Sequence, residues 1–269
     1  MRSSATFDRA ACRATASSLI ACLAFAAGAP AWADDDAPGA TPYRPSVSTP
    51  AALSAPGWLE VEAGLISSRA DEPTRRQSLP YTLKLAFTPD WGARIGGDAI
   101  VHQVNADGSK VTSGGDTSIV LKRRFAVSEA SAFGLELGTK LPTASRRIGS
   151  GHADVGVNAI FSSDFAENWH TDINLLATHL GGTDAGMSAW QAGWAAAVSR
   201  NLSEAWGATG ELSGTHQRGN GSTSQALLAA SYALSKAASL DIGVSKGLSA
   251  ASGGWSVFSG VTFLAARLF

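Results

Sequence analysis

The residues of this chain that could do chemistry are dispersed rather than clustered. Its histidines, His102, His152, His170, His179 and His216, lack the paired spacing of metal ligands. H-E-x-x-H, Walker A and strand-linked G-x-G-x-x-G motifs are absent, so neither a metal nor a nucleotide cofactor is expected. What remains is a set of acids and bases at alternating positions. The acids are Glu60, Glu62, Asp98, Asp116, Glu136, Asp154, Asp172, Glu211 and Asp241. The bases are Lys84, Arg94, Lys122, Arg124 and Lys140, with His102 and His170. Two chemistries fit such a set. The groups can line a narrow water-filled path and set its selectivity, or they can pair across strands and fill the interior with salt bridges. A catalytic carboxylate pair is a weaker reading, because so many interior charges bring some pair together by chance.

The elements that must position these groups are strands. In 131–141, Phe133, Leu135, Leu137 and Leu141 oppose Glu136 and Lys140. In 169–180, Ile173, Leu175 and Ala177 oppose His170, Asp172, Asn174 and Thr178. The same period-two alternation marks 58–67, 79–88, 91–104, 116–126, 153–162, 187–199, 205–217, 239–248 and 255–269, and it is least clear in 224–234, which also reads as a helix. About twelve strands fill the stretch from 57 to 269, roughly the 9–11 residues plus turn that a membrane-crossing strand needs. The connections alternate between short turns and longer polar loops (69–78, 105–115, 142–152, 181–186, 218–223 and 249–254). The chain is 45% hydrophobic and 16% charged, with a net charge of −1. That leaves no basic field for nucleic acid. The expectation is an all-β, transmembrane, antiparallel up-and-down barrel of the bacterial outer membrane, surrounded by outer-membrane lipid, with apolar residues facing that lipid and charged ones the lumen.

Trp91, Trp169 and Trp206 each follow a short turn in an apolar–turn–Trp repeat, which places them in an interfacial aromatic belt. Phe269 ends the chain in phase with Phe263 and Val261. A terminal aromatic of this kind would be read by the barrel-assembly machinery through the last strand, although Arg267 departs from the usual apolar pattern.

The start of the chain reads differently. Arg2, Arg9 and Arg13 precede an apolar run over 14–29, and Ala31-Trp32-Ala33 has the form of a cleavage site. Residues 1–33 are therefore expected to be a signal peptide that carries away both cysteines, Cys12 and Cys22. Lipidation at Cys22 is the rival reading. Residues 34–56, rich in Pro, Ala and Ser, read as a flexible periplasmic leader.

One hydrolase pattern is matched in part. Some outer-membrane phospholipases place a His and a Ser two residues apart beside Asn-Gly. Here Thr215-His216-Gln217-Arg218 puts Arg218 where that Ser would stand, so no catalytic residue is assigned.

Residues 114–161 carry the most recognisable text. Gly115-Asp116 is followed after five residues by Lys122. Leu141-Pro142-Thr143 ends the next strand, and Gly149-Ser150-Gly151 leads to Asp154-Val155-Gly156. This order, with Pro89-Asp90-Trp91-Gly92 upstream, resembles the "MetA-pathway of phenol degradation" family of outer-membrane transporters. That family usually has Gly after Leu-Pro-Thr, where Ala144 stands here. The resemblance implies a barrel admitting small, often aromatic or hydrophobic, organic compounds, without defining one. The alternatives are a closed structural or interaction barrel and, less favoured, a lipid hydrolase.

Overall fold

The computed structural model describes residues 38–70 and 73–269; the expected signal segment lies outside them. Every regular element among the described residues is a strand. They are β1 (Trp58–Ser68), β2 (Arg75–Ala86), β3 (Trp91–Val104), β4 (Lys110–Ser113), β5 (Thr117–Ala126), β6 (Ser131–Leu141), β7 (Asp154–Ala166), β8 (Trp169–His179), β9 (Trp190–Asn201), β10 (Trp206–Gln217), β11 (Gly221–Ser235), β12 (Ala238–Gly247) and β13 (Trp255–Arg267). Except at β4, consecutive strands pair antiparallel, and β1 pairs with both β2 and β13, which closes the sheet into a barrel. β4 is not a wall strand. β3 pairs with β5 over Trp91–Gly97 and with β4 over Val101–Val104, so β4 only extends one wall into a loop. The wall therefore has twelve strands. The ambiguous 224–234 lies within β11, because Ser224–Tyr232 pair with β10 and Gln225–Ala233 with β12. The loop expected at 218–223 shrinks to the three residues between Gln217 and Gly221, with positive φ at Gly219 and Gly221.

Alternation sets the two faces. On β6, Leu135 and Leu137 are 46% and 55% exposed on the outside, while Glu136 between them is 3% exposed inside. The same contrast separates Ile173 and Leu175 from Asn174 on β8. One strand changes phase. Between the pairs Ser78–Val101 and Pro80–Asp98, β3 carries one residue more than β2. This bulge turns Val101 inward, where it is fully buried, and His102 outward to bond Thr112 of β4 at 2.8 Å. The expected lumen position of His102 is thereby corrected: strict period-two counting does not survive an extra residue.

The stretch read as a flexible leader is the second correction. Residues 38–56 fold with the barrel, and 40–56 run inside it. Ala40 N–H bonds Lys236 O in the β11–β12 turn, and Gly57 N–H bonds Ala86 O at the end of β2. The segment thus enters and leaves at the short-turn end. Composition misleads here because these residues are too polar and too small to build an apolar core. In a charged lumen they do not need one, since their backbone groups find partners on the wall.

Candidate functional site: the plugged lumen

The site is built by inward-facing residues of most wall strands and by the inserted segment. Adjacent positions of β1 and β2 bring Glu60, Glu62 and Lys84 together. Lys84 Nζ lies 2.7 Å from Glu60 Oε1 and 2.6 Å from Glu62 Oε1, and it donates to Thr41 O at 2.7 Å. One ammonium thus serves three acceptors, using its three protons. The carboxylates reach back to the same segment: Glu60 accepts from Thr41 N–H at 3.1 Å and Glu62 from Tyr43 N–H at 2.6 Å.

A second cluster spans β3, β5, β6, β7 and β8. Glu136 takes Arg94 at 3.0 Å, Lys122 at 3.5 Å and Asn158 Nδ2 at 3.0 Å. Lys122 Nζ also donates to Tyr43 Oη at 3.0 Å and to Pro50 O. The Tyr43 ring lies between two ammonium groups, with Lys84 Nζ 3.9 Å and Lys122 Nζ 4.3 Å from its centroid, a cation–π arrangement. Its hydroxyl donates to Ala52 O at 2.9 Å.

The segment then runs past β12 and β10 towards β8 and β7. Arg44 makes a forked pair with Asp241 of β12 at 2.9 and 3.0 Å. Gly64 and Gly260 make room for it: a Cβ on either would stand 2.7 Å from the guanidinium carbon. Glu211 of β10 accepts from Ser48 N–H and Ser48 Oγ, each at 2.8 Å. Asn174 of β8 grips Thr49 at both backbone groups, accepting from its N–H and donating to its C=O, each at 2.9 Å. Ser162 of β7 accepts from Ala51 N–H at 2.7 Å and donates to Asp172.

Two chambers flank this crossing. One, of about 280 Å³, faces the long loops and is lined by Arg94, Lys140, Asp154, Asn158 and Thr178. The other, of about 440 Å³, opens at the short-turn end beside His170, Asp172, Ser231 and Asp241. Ser48 and Pro50 line the second, while Thr49 bonds Asn158 and Glu136 of the first. A stretch of about three residues therefore separates the chambers. Asn158 Oδ1 and Arg94 Nε are buried there without a hydrogen bond.

The remaining expected wall residues fall outside this knot. Lys140 pairs with Asp154 at 2.7 Å and Asp116 at 3.6 Å, and Asp98 pairs with Arg76 at 3.1 Å, all towards the long loops. His170 bridges Asp164 and Asp172 at the short-turn end. Arg124 makes no ion pair among the described residues. The sequence reading missed Tyr43, Arg44, Ser162 and Asn174 as site residues, because it sought charges on strands and discounted the segment. Asn174 did carry a signal: it is an inward polar residue between Ile173 and Leu175.

Trp91, Trp169 and Trp206 open β3, β8 and β10 at the short-turn end, and Phe269 lies at that end, 63% exposed. Arg123 stacks over Trp91 and Arg200 over Trp169. Trp190 and Trp255, which open β9 and β13, are exposed at the opposite end. His216 has a hydroxyl partner that its local sequence does not show: Ser222, directly opposite on β11, bonds it at 2.8 Å. Both are exposed, and no carboxylate orients the ring among the described residues.

No family model and no curated protein matches the chain, so the resemblance of 114–161 rests on those residues. Solved structures do match. The NanC porin aligns over 77% of this chain and all of its own, with a TM-score of 0.56 at 10% identity. The KdgM porin in complex with disordered oligogalacturonate aligns over 76% of this chain and 99% of its own, with a TM-score of 0.55 at 8% identity. The chain has the fold of an outer-membrane porin. At such identities the likeness carries the architecture of this porin-like barrel and leaves its lumen to be read from its own residues.

Proposed function

We propose that this barrel is an outer-membrane channel for small organic molecules, closed in this state by residues 40–56. The observation that carries the reading is the pair of chambers with the Ser48–Pro50 stretch of a single inserted strand of chain between them. A wall meant only to be solid has no need of a removable floor. The long loops face outwards and the short turns the periplasm, as in barrels of this class. The chain reaches the membrane through its signal peptide, and its last strand and Phe269 engage the assembly machinery. Catalysis forms no part of the reading.

The aromatic preference has its own support. Tyr43 is itself a phenol, held by Lys84, Lys122 and a hydrogen-bonded hydroxyl. A free phenolic compound offers the same ring and hydroxyl and would compete for that seat as the segment leaves. The alternative, a closed structural barrel, is favoured by the completeness of the Lys84 pairing.

Solute entry into liposomes decides between them. The probes are 4-hydroxybenzenesulfonate, which does not cross bilayers unaided, and a sugar of similar size. The chain carries Ala51→Cys and Ser162→Cys, with Cys12 and Cys22 changed to Ser. Entry should be absent when the pair is oxidised. It should appear on reduction once Tyr43→Ala and Arg44→Ala loosen the segment, with the aromatic probe entering faster. A folded, loosened, reduced barrel that admits neither probe sinks the channel reading and leaves the structural one.

A further inference from the structure

The lumen wall holds its own N-terminal segment chiefly by the backbone. Six N–H groups, of Thr41, Tyr43, Val47, Ser48, Thr49 and Ala51, donate to wall side chains. Three C=O groups, of Thr41, Thr49 and Pro50, accept from Lys84, Asn174 and Lys122. Side chains contribute less: Tyr43, Arg44 and the hydroxyls of Ser48 and Thr49. Backbone groups are common to every peptide, so a wall that reads them accepts many sequences. Asn174 makes the point locally. It is 1% exposed, and its amide bonds both the N–H and the C=O of one residue, as a neighbouring β-strand would. Its orientation is fixed, because Oδ1 also accepts from Asn158 Nδ2 at 3.0 Å.

We infer that the emptied lumen is a binding track for extended oligopeptides carrying a basic residue, and that residues 40–56 occupy it as a resident stand-in. The inference goes beyond the channel reading and rests on it in one respect, that the segment can leave. The charge requirement follows from the wall. Departure of Arg44 strips Asp241, 8% exposed, of its partner, and Glu211 loses its donors as Ser48 leaves. A peptide supplying N–H groups and one cation restores both; an acidic peptide restores only the first and adds repulsion. Bulky side chains are excluded along the crossing, where a Cβ on Gly134 would meet Ala51 Cα at 3.2 Å.

Protection of a thiol introduced by Ser162→Cys tests this in the full-length chain with Cys12 and Cys22 changed to Ser. The thiol should react slowly with a methanethiosulfonate reagent while the segment is docked. Reaction should be at least about tenfold faster when Tyr43→Ala and Arg44→Ala release it. A synthetic peptide matching residues 38–56 should restore protection. So should a peptide in which the other residues are permuted while the arginine and the prolines keep their places and a small residue stays at the position of Ala51. The same peptide with glutamate for arginine should not, and Asn174→Leu should abolish protection by all. Protection by the matching peptide alone, or by none, overturns the inference. Where the released chain does not fold, residues 46–49 are exchanged for Ala-Gly-Ala-Gly in the otherwise unaltered segment. Backbone reading requires the introduced thiol to stay protected within about threefold of the parent; lost protection overturns it. Solute entry without peptide protection would leave the channel standing and remove only the peptide track.

Discussion

Arg44 and Asp241 stand 197 positions apart in the chain and meet as a forked ion pair inside the barrel, with both N–O distances near 3 Å. The pair pins the inserted segment to β12, separately from its Lys84 and Lys122 anchors on β2 and β5. Arg44→Ala should leave Asp241 buried and without its partner, at a cost of about 3–5 kcal/mol to the docked state. Arg44→Lys should recover only part of this, because a single ammonium cannot reproduce the fork. Reactivity of the thiol introduced by Ser162→Cys reports docking, and equal reactivity for the Lys and Ala variants would contradict the geometry.

Lys84 holds two carboxylates and a backbone carbonyl at once. Lys84→Met should strand Glu60 and Glu62, which have no other basic partner among the described residues. A loss of about 3–5 kcal/mol in urea unfolding from vesicles is expected. Adding Glu62→Gln should return part of it, so the two changes should not be additive. Strict additivity would mean that the pairing contributes nothing.

Asn174→Leu removes the two-bond grip on Thr49 without touching a charge. It should weaken docking by about 2–3 kcal/mol, since two buried backbone groups lose their partner. The barrel's own unfolding midpoint should barely move. A large fall in that midpoint would assign Asn174 to the wall instead of the segment.

Leu175 lies on the outer face of β8 at 63% exposure, beside buried Asn174. Leu175→Arg should cost about 2–4 kcal/mol in a lipid bilayer, as charges at the midplane of a barrel do. The test is unfolding from vesicles, and a neutral outcome would mean this face does not meet hydrocarbon.

Outer aromatics give a separate check. Trp91 and Trp206 should be quenched by lipids brominated near the headgroup, and Trp190 and Trp255 likewise from the other interface. Quenching of Trp206 by bromine at the chain ends would move the short-turn end into the membrane core.

How much of this was legible beforehand depended on the range of the interactions involved. Alternation is a local property. Leu135, Glu136 and Leu137 declare two faces whatever lies across the barrel, because successive side chains of a strand point to opposite sides. Twelve wall strands, their turns and the tryptophans after them followed from that rule, as did the inward setting of Glu60, Lys84 and Glu136. The bulge opposite Leu79 escaped it, since an extra residue shows only once β2 and β3 are paired, and His102 changed face as a result. The inserted segment escaped it for a deeper reason. Nothing in a run of Pro, Ala and Ser marks it as ordered, because it has no core of its own to form. Its partners, Glu62, Glu211, Asn174 and Ser162, come from strands far along the chain and converge only when the barrel closes. The sequence by itself determined a polar-lined barrel. Closure of the sheet decided that the lumen was filled, because only then do carboxylates with unmet hydrogen-bonding capacity surround a backbone with unmet donors.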